Sequence, residues 1–145
     1  MILYLDTSAL VKLYVEEPGS RQVQHAVAQA ERVVTHGIAY VEARAAFRRR
    51  AADAPDADAL QRWRRDFESD WPRLDVVDAA PALLHRAGEL ADLLALRAYD
   101  GVHLAAAESL HERLAASHQL VFAVYDKRLA LAAQSLGLQV FPSES

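Results

Sequence analysis

Residues 1–14 read MILYLDTSALVKLY, an apolar run that stops at Asp6-Thr7-Ser8 and then becomes apolar again. A run such as residues 2–5 is typical of a strand that is buried on both faces of a parallel sheet. A carboxylate directly after such a strand either caps the helix that follows or takes part in chemistry at the strand's end. The choice between these interpretations depends on whether other carboxylates occupy the same kind of position.

The composition is that of an ordinary globular protein and excludes several kinds of site. The 145 residues are 52% hydrophobic and 25% charged, which predicts a single domain over residues 1–145. The sequence has no cysteine, which excludes disulfides, zinc–thiolate centres and a cysteine nucleophile and is compatible with a cytoplasmic protein. We expect no signal peptide and no membrane span, which needs about 20 apolar residues. Because the net charge is −4, contact with nucleic acid requires a local basic patch.

Short runs rich in Val, Ile and Leu alternate with longer amphipathic segments along the chain. The predicted strands are residues 2–5, 33–35, 74–77, 120–124 and 139–141. The predicted helices are residues 8–15, 20–30, 40–52, 56–70, 81–94, 101–114 and 127–136. This alternation predicts an α/β fold of three layers, in which a mostly parallel central sheet of four to five strands is flanked by about seven helices.

Four acidic residues from distant parts of the chain lie at predicted strand ends or helix starts. Asp6 follows the first strand, and Asp126 stands just past the strand in LVFAVY, residues 120–125. Glu42 lies early in the helix after the second strand, and Asp100 begins the helix in DGVHLAAAESL. Ligands of an open parallel sheet bind outside the carboxyl ends of its strands, so we expect these acids to share one edge. Each acid alone is also explained as a helix cap or a solvated charge.

Taken together, the four carboxylates predict a metal centre. Carboxylates packed at one edge repel each other and take up protons unless a cation is present. A hard divalent cation such as Mg²⁺ or Mn²⁺ takes oxygen ligands and keeps several waters. Such a centre suits attack by water on a phosphodiester and needs no protein nucleophile. Asp6 is the acid least easily explained as a cap alone, since an unpaired carboxylate at the end of a buried strand is costly.

Four segments resemble the signature segments of PIN domains, and in length and order they most resemble the VapC toxins of toxin–antitoxin pairs. The segments are YLDTSALVKLY (residues 4–14), YVEARAAFRRR (40–50), LRAYDGVHLAAA (96–107) and VYDKRLALAAQSLGLQVF (124–141). The resemblance spans nearly the whole chain and implies a PIN-like fold with the activity of a metal-dependent endoribonuclease. It also implies an RNA substrate, a cognate VapB-type antitoxin and a homodimer.

The resemblance assigns the family's acids to positions in this sequence. The catalytic acids, which are also the ligands of Mg²⁺ or Mn²⁺, are predicted to be Asp6, Glu42, Asp100 and Asp126. Asp6 and Asp100 are expected to be the principal ligands. Glu42 is expected to complete the site or to orient the attacking water. Asp126 is expected to bind a second ion or to hold a water of the metal.

Three further features lie near the acids. Ser8, or Thr7, is the hydroxyl that the family places beside the first acid; Ser8 either bonds a carboxylate or reaches the scissile phosphate, and helix capping is its alternative. His36-Gly37 replaces the Ser/Thr-containing stretch expected before the second acid, which affects how the helix of Glu42 begins. His103 follows the third acid by one helical turn and is interpreted as a packed helix histidine, with a supporting position behind the pocket as its alternative.

A basic stretch is the predicted source of phosphate contacts. Its members are Arg44, Arg48, Arg49, Arg50, Arg62, Arg64 and Arg65. Arg44 is close enough to Glu42 in sequence to face the pocket, where it would contact RNA or pair with an acid. The other arginines are better explained as a solvated helix face. If they bind RNA, they add salt dependence and no sequence specificity.

Three rival functions share an acidic strand end. A metal-dependent phosphatase needs a second aspartate two residues after the first, where this chain has Ser8. A phosphoryl-receiver domain needs a paired acid beside the first strand and a lysine after a late strand. Lys127 loosely fits the lysine, but the other requirement is not met. A non-catalytic PIN-like module that binds RNA or a protein partner is the third alternative. The presence of all four acids argues against this module, because without catalysis nothing would maintain a costly cluster of charge.

Overall fold

The computed structural model describes residues 1–143, in which five strands and seven α-helices alternate. The strands are β1 (Ile2–Leu5), β2 (Arg32–His36), β3 (Asp75–Val77), β4 (Leu120–Ala123) and β5 (Gln139–Phe141). The helices are α1 (Thr7–Val11), α2 (Ser20–Gln29), α3 (Ile38–Ala51), α4 (Ala59–Asp70), α5 (Pro81–Leu94), α6 (Ala98–Leu114) and α7 (Lys127–Ser135). A 3₁₀ turn, Trp71–Arg73, precedes β3. Within residues 1–143, none of the helices combines the length and apolar character that crossing a bilayer requires.

The five strands form one parallel sheet in the order β3-β2-β1-β4-β5. The central strand is β1, in which Ile2 lies opposite Arg32 of β2 on one side and Leu120 of β4 on the other. The chain proceeds outward from β1 to β3 and then returns to place β4 on the other side of β1. The order therefore reverses between β1 and β4, and this reversal is the point where open parallel sheets bind ligands. The predicted α/β fold is confirmed.

The side chains of β1 alternate between two hydrophobic cores, and this alternation explains its unbroken apolar sequence. Leu3 and Leu5 are fully buried in a core that they share with α1 to α4. Ile2 and Tyr4 point into the opposite core, which α5, α6 and α7 cover. Successive side chains of a strand point to opposite faces, so a strand that is covered on both sides must be apolar at every position. The result is the predicted three-layer arrangement.

Several helix boundaries differ from the prediction, and two of the larger differences lie near the sheet edge. Helix α6 begins at Ala98 and not at residue 101, because the Gly101 N–H donates to the Arg97 carbonyl at 3.0 Å and closes a turn earlier. Asp100 therefore lies within the first turn of α6. Helix α1 ends at Val11 and not at residue 15, because the next three N–H groups bond carbonyls three residues back.

The close approach of α5 and α6 depends on Gly101, the residue directly after Asp100. A Cβ atom at this position would lie 2.9 Å from the Ala87 carbonyl oxygen, which belongs to the backbone of α5. Contacts this short force the two helices apart, since a backbone atom cannot rotate away as a side chain can. Gly88 of α5 provides a contrast, because a Cβ there would meet nothing within 4 Å.

We predict opposite effects of alanine at these two glycines. Gly101→Ala should lower the free energy of unfolding by about 1–3 kcal/mol, because the added methyl overpacks the α5–α6 contact. Gly88→Ala should raise it by about 0.5–1 kcal/mol, because alanine loses less backbone entropy than glycine in an open helix position. Urea unfolding of both variants measures the difference. Equal stabilisation by the two substitutions would contradict the close contact at Gly101.

Candidate functional site

A cavity of about 500 Å³ opens at the carboxyl edge of the sheet, beside the ends of β1 and β4. All four acids predicted from the sequence line it. Asp6 comes from the end of β1, Glu42 from α3, Asp100 from α6 and Asp126 from the start of α7. The fold thus brings together four carboxylates that are separated by up to 120 positions in the sequence. We refer to this space as the acidic cavity.

Asp6 combines the two interpretations that the sequence left open. It is the N-cap of α1, and its Oδ1 accepts hydrogen bonds from the Ala9 N–H at 2.9 Å and from Ser8 Oγ at 2.6 Å. Both bonds go to Oδ1, so Oδ2 has no donor from residues 1–143. The side chain is buried, with 4% of the residue exposed. Burial raises the Asp6 pKa to about 6, although the charge of His103 and the two hydrogen bonds oppose the rise.

Ser8 connects Asp6, at the end of β1, to the loop that follows β4. Its Oγ donates to Asp6 and accepts a hydrogen bond from the Tyr125 N–H at 3.1 Å. Tyr125 follows β4, whereas Ser8 belongs to α1. Of the interpretations weighed for Ser8, the bond to a carboxylate is present, while the capping of α1 is performed by the side chain of Asp6.

Glu42 lies at the end of a buried chain of hydrogen-bonding side chains. Its Oε1 accepts from Thr7 Oγ1 at 2.6 Å and lies 2.9 Å from His103 Nε2. On the other side of the ring, His103 Nδ1 lies 2.8 Å from the hydroxyl of Tyr4. Tyr4 and His103 are both buried. Thr7 Oγ1 also lies 3.1 Å from His103 Nε2, so these side chains form one hydrogen-bonded network behind Glu42.

This chain determines the charge of Glu42. Burial alone would raise the Glu42 pKa, but the hydrogen bonds from His103 and Thr7 outweigh burial and leave the pKa lowered. Burial also raises the Tyr4 pKa, so its hydroxyl stays protonated. His103 is therefore both a packed helix residue, as the sequence predicted, and the partner that holds Glu42, which was the alternative interpretation.

Asp100 and Asp126 share one cation that the sequence did not identify. The Arg97 guanidinium lies 3.3 Å from Asp100 Oδ2 through Nε and 3.1 Å from Asp126 Oδ2 through Nη2, while 77% of the Arg97 side chain is exposed. Asp126 also caps α7, since its Oδ1 accepts from the Leu129 N–H at 2.9 Å. Burial raises the Asp100 pKa, and the Asp126 charge adds to the rise, whereas Arg97 opposes it. The sequence signal that could have identified Arg97 is its spacing, because a residue three positions before Asp100 can pair with it across one helical turn.

The basic stretch contributes two of its arginines to the cavity wall, Arg49 and Arg50. Arg50 pairs with Glu17 at 2.7 Å, whereas Arg49 is exposed and has no ion pair within residues 1–143. The expectation that Arg44 faces the pocket was wrong. Its guanidinium pairs with Glu68 of α4 at 2.8 Å, because Arg44 lies on the face of α3 that packs against α4. Arginines of the α4 segment pair with nearby aspartates.

His36 compensates for the missing Ser/Thr stretch before Glu42. Its Nδ1 accepts a hydrogen bond from the Ile38 N–H at 3.0 Å, so it satisfies a donor in the first turn of α3. A protonated imidazole could not accept this bond. Burial lowers the His36 pKa, which keeps the ring neutral. The helix that carries Glu42 therefore begins with a histidine in the role expected of a hydroxyl.

The carboxylates share the acidic cavity without converging on one point. Among residues 1–143, no three His, Asp or Glu side chains are grouped so that they could hold a metal ion as they stand. The cause is that protein donors already hold several of the oxygens, with Glu42 turned to His103 and Asp126 bound to Leu129 and Arg97. Metal binding by the four acids stays a prediction.

Comparison with known proteins identifies the family. The model of the PIN domain matches residues 3–134. A curated relative, Ribonuclease VapC49 of Mycobacterium tuberculosis, is 34% identical over 147 aligned residues, which cover 99% of this chain and 96% of the relative. Both the family match and the relative extend over nearly the whole sequence, including all four acids.

Solved structures share the fold at lower sequence identity. FitAcB from Neisseria gonorrhoeae superposes with a TM-score of 0.62 at 22% identity and covers 97% of this chain and 96% of the other. VapBC2 from Rickettsia felis, bound to a DNA fragment from their promoter, gives a TM-score of 0.62 at 16% identity and covers 97% of both chains. These structures show the same fold, and the match to the family model together with the 34% identical relative establishes that this chain belongs to the PIN-domain family.

Proposed function

We propose that this protein is a metal-dependent endoribonuclease and the toxin of a type II toxin–antitoxin pair. The observation that carries the proposal is the meeting of Asp6, Glu42, Asp100 and Asp126 in one cavity at the switch point of the sheet. The four acids come from four separate segments, so their meeting is a property of the fold and not of one helix terminus. The relative named as a ribonuclease supports RNA as the substrate.

The donor set of the acidic cavity fits a hard divalent cation. Its acidic groups offer only carboxylate oxygens, which Mg²⁺ and Mn²⁺ prefer. Asp6 Oδ2 has no donor within residues 1–143, and burial raises the pKa of both Asp6 and Asp100. Both features describe carboxylates whose burial is not fully offset by the hydrogen bonds and positive charges around them. When bound, such an ion neutralises charge on phosphate oxygens and makes water more acidic.

We assign separate roles in cleavage to residues of the acidic cavity. We assign Asp6 and Asp100 to holding the ion, with Asp126 as a further ligand. Glu42 remains ionised because His103 and Thr7 hold it, so it is suited to orient the attacking water as a hydrogen-bond acceptor. Arg97 and Arg49, at the mouth of the cavity, are suited to bind the phosphate backbone.

The proposed partners are a VapB-type antitoxin and a second copy of this chain. The names of the structural neighbours, VapBC2 and FitAcB, each pair the related chain with another protein. Helix α5 offers apolar surface for such contacts, since Leu93 is 73% exposed and Leu84 is 46% exposed. A non-catalytic binding module is the alternative function; it does not account for four carboxylates gathered in one partly buried cavity.

The first prediction of the proposed function concerns metal-dependent cleavage. The purified protein, free of antitoxin, should cut total cellular RNA into discrete fragments in Mg²⁺ or Mn²⁺, and EDTA should prevent this. Asp6→Asn and Asp100→Asn should each lower the cleavage rate by on the order of 100-fold or more, since each removes a charged oxygen from the reacting centre. Gel analysis of the RNA gives the rate and the fragment ends.

Asp92→Asn is the matched control for these variants, because Asp92 is an exposed aspartate of α5 outside the acidic cavity. It should cleave as the wild type does. Circular dichroism checks that every variant is folded. Retained cleavage in both Asp6→Asn and Asp100→Asn would refute the assigned roles, and intact RNA under all conditions would favour the binding module.

The second prediction concerns the pH dependence of stability without metal. The Asp6 pKa is about 6 in the folded protein and 3.8 as its ordinary value, so the folded state binds the proton more tightly. The corresponding stabilisation is fully present below about pH 4 and is lost as the pH rises through about 6. Relative to Asp6→Asn, the wild type should lose about 1–3 kcal/mol of unfolding free energy over this interval.

Urea unfolding in EDTA at several pH values between these limits measures the loss. Asp92→Asn should follow the wild type. Mn²⁺ at neutral pH should stabilise the wild type more than Asp6→Asn, because a ligand that binds only the folded state stabilises it. Parallel pH profiles of the wild type and Asp6→Asn would show that Asp6 titrates normally and would contradict its uncompensated burial.

The third prediction concerns Arg97, which competes with a metal ion for Asp100 and Asp126. Arg97→Gln should tighten Mn²⁺ binding by about two- to five-fold, the range expected when exposed ion pairs are removed. Calorimetric titration with Mn²⁺ in the absence of RNA measures the change. Arg73→Gln is the control, because Arg73 is similarly exposed and pairs with Asp70 at 2.8 Å away from the acidic cavity. Unchanged Mn²⁺ affinity in Arg97→Gln would contradict the competition.

A further inference from the structure

A second cavity of about 380 Å³ adjoins the acidic cavity, and we call it the side cavity. The residues that line both cavities are Thr7, Glu42, Arg49 and Tyr99. The rest of the side cavity is apolar and is formed by one face of α3, which carries Ile38, Val41 and Ala45. The two cavities therefore lie side by side along a shared rim, and both open to solvent, so a molecule whose reacting bond lies among the acids can extend over this rim into the side cavity.

The side cavity presents two large apolar groups to solvent at the edge of a charged site. Tyr99 is 53% exposed and Val41 is 63% exposed. The Tyr99 hydroxyl makes no hydrogen bond within residues 1–143, so neither the ring nor its polar end is used by the fold. Tyr99 directly precedes Asp100, and Val41 directly precedes Glu42. The apolar surface is thus attached to the same two turns of helix that position the acids.

A guanidinium lies at the rim that the two cavities share. Arg49 lines both of them, is exposed and has no ion pair within residues 1–143. An aromatic ring, an aliphatic wall and an unpaired guanidinium together match a flat, apolar group that is attached to a phosphate. A nucleotide of single-stranded RNA has this chemistry, because proteins bind unstacked bases on aromatic rings and phosphates through Arg.

We infer that the side cavity binds one unstacked nucleobase of the RNA, next to the phosphate that is cut. Tyr99 stacks on the base, Val41 packs against its edge, and Arg49 contacts an adjacent phosphate. The inference rests on the proposed endoribonuclease function and adds to it a subsite that selects single-stranded RNA. The observations favour a nucleobase over a second copy of this chain, because the side cavity adjoins the acidic cavity and carries a cation suited to a polyanion.

The test combines variants of Tyr99 with RNA that lacks one base. The substrate is an oligonucleotide that contains the cleavage site read from the ends of the cellular RNA fragments, and two further oligonucleotides carry an abasic ribose on one or the other side of the scissile phosphate. Tyr99→Ala should raise KM for the complete RNA by on the order of ten-fold, with kcat within a few-fold. Tyr99→Phe keeps the ring and should reverse most of this loss.

The abasic RNAs separate stacking from a general structural effect. With one of them, the wild type and Tyr99→Ala should have the same KM, because the group that Tyr99 binds is absent from the substrate. Leu131→Ala is the matched control, since Leu131 is 60% exposed on α7 and lines neither cavity. It should behave as the wild type does with every substrate.

Each contrary outcome overturns the inference in a distinguishable way. An unchanged KM in Tyr99→Ala, or the same loss with complete and both abasic RNAs, shows that Tyr99 binds no base while metal-dependent cleavage by the wild type still stands. A loss that accompanies conversion of a dimer to a monomer in sedimentation assigns the side cavity to a contact between copies. Failure of the wild type to cleave any RNA overturns the proposed function together with this subsite.

Discussion

The burial of the Asp6 carboxylate at the end of the central strand is the constraint around which the rest of the site is arranged. A strand covered on both faces delivers its last residue into a region where charge is costly. The fold offsets part of this cost by beginning α1 at that point, so that the Ala9 N–H and Ser8 Oγ bond the carboxylate. Ser8 in turn accepts the Tyr125 N–H, which ties the loop after β4 to the same carboxylate. The remaining oxygen, Asp6 Oδ2, accepts no hydrogen bond within residues 1–143 and is available to bind a cation.

The surroundings of the two acids nearest the sheet shift their pKa values in opposite directions. Burial dominates at Asp6 and raises its pKa to about 6, whereas hydrogen bonds from His103 and Thr7 dominate at Glu42 and lower its pKa. Acids whose environments separate their pKa values in this way perform different tasks. Glu42 already has a positive or donating neighbour and needs no metal to remain ionised. Asp6 has no neighbour that lowers its pKa as strongly, and burial also raises the pKa of Asp100. A cation would therefore stabilise the charged forms of Asp6 and Asp100 most.

The fold and the meeting of the four acids could be predicted because both follow from local patterns. An unbroken apolar strand predicts burial on both faces, and a parallel sheet places all its strand ends at one edge. The partners of those acids could not be predicted. His103 reaches Glu42 across 61 positions and Tyr4 across 99, and such contacts depend on how α6 packs on the sheet. The prediction that Arg44 faces the pocket was wrong for the same reason, because its partner Glu68 lies on another helix.

The distribution of cations around the acidic cavity bears on how RNA would be selected. The chain carries a net charge of −4, and Arg50 is already paired with Glu17. Arg49 has no ion pair within residues 1–143, and Arg97 would be released from Asp100 and Asp126 by a bound metal ion. These two arginines of the cavity wall are therefore best placed to bind phosphate. Each phosphate contact contributes to affinity without distinguishing sequences, and few contacts give a shallow dependence on salt. A site with so small an electrostatic contribution must obtain affinity from the bases. An exposed aromatic ring beside the reacting centre is a group that can provide it, and this makes target choice a matter of which loops present an unstacked base at the scissile phosphate.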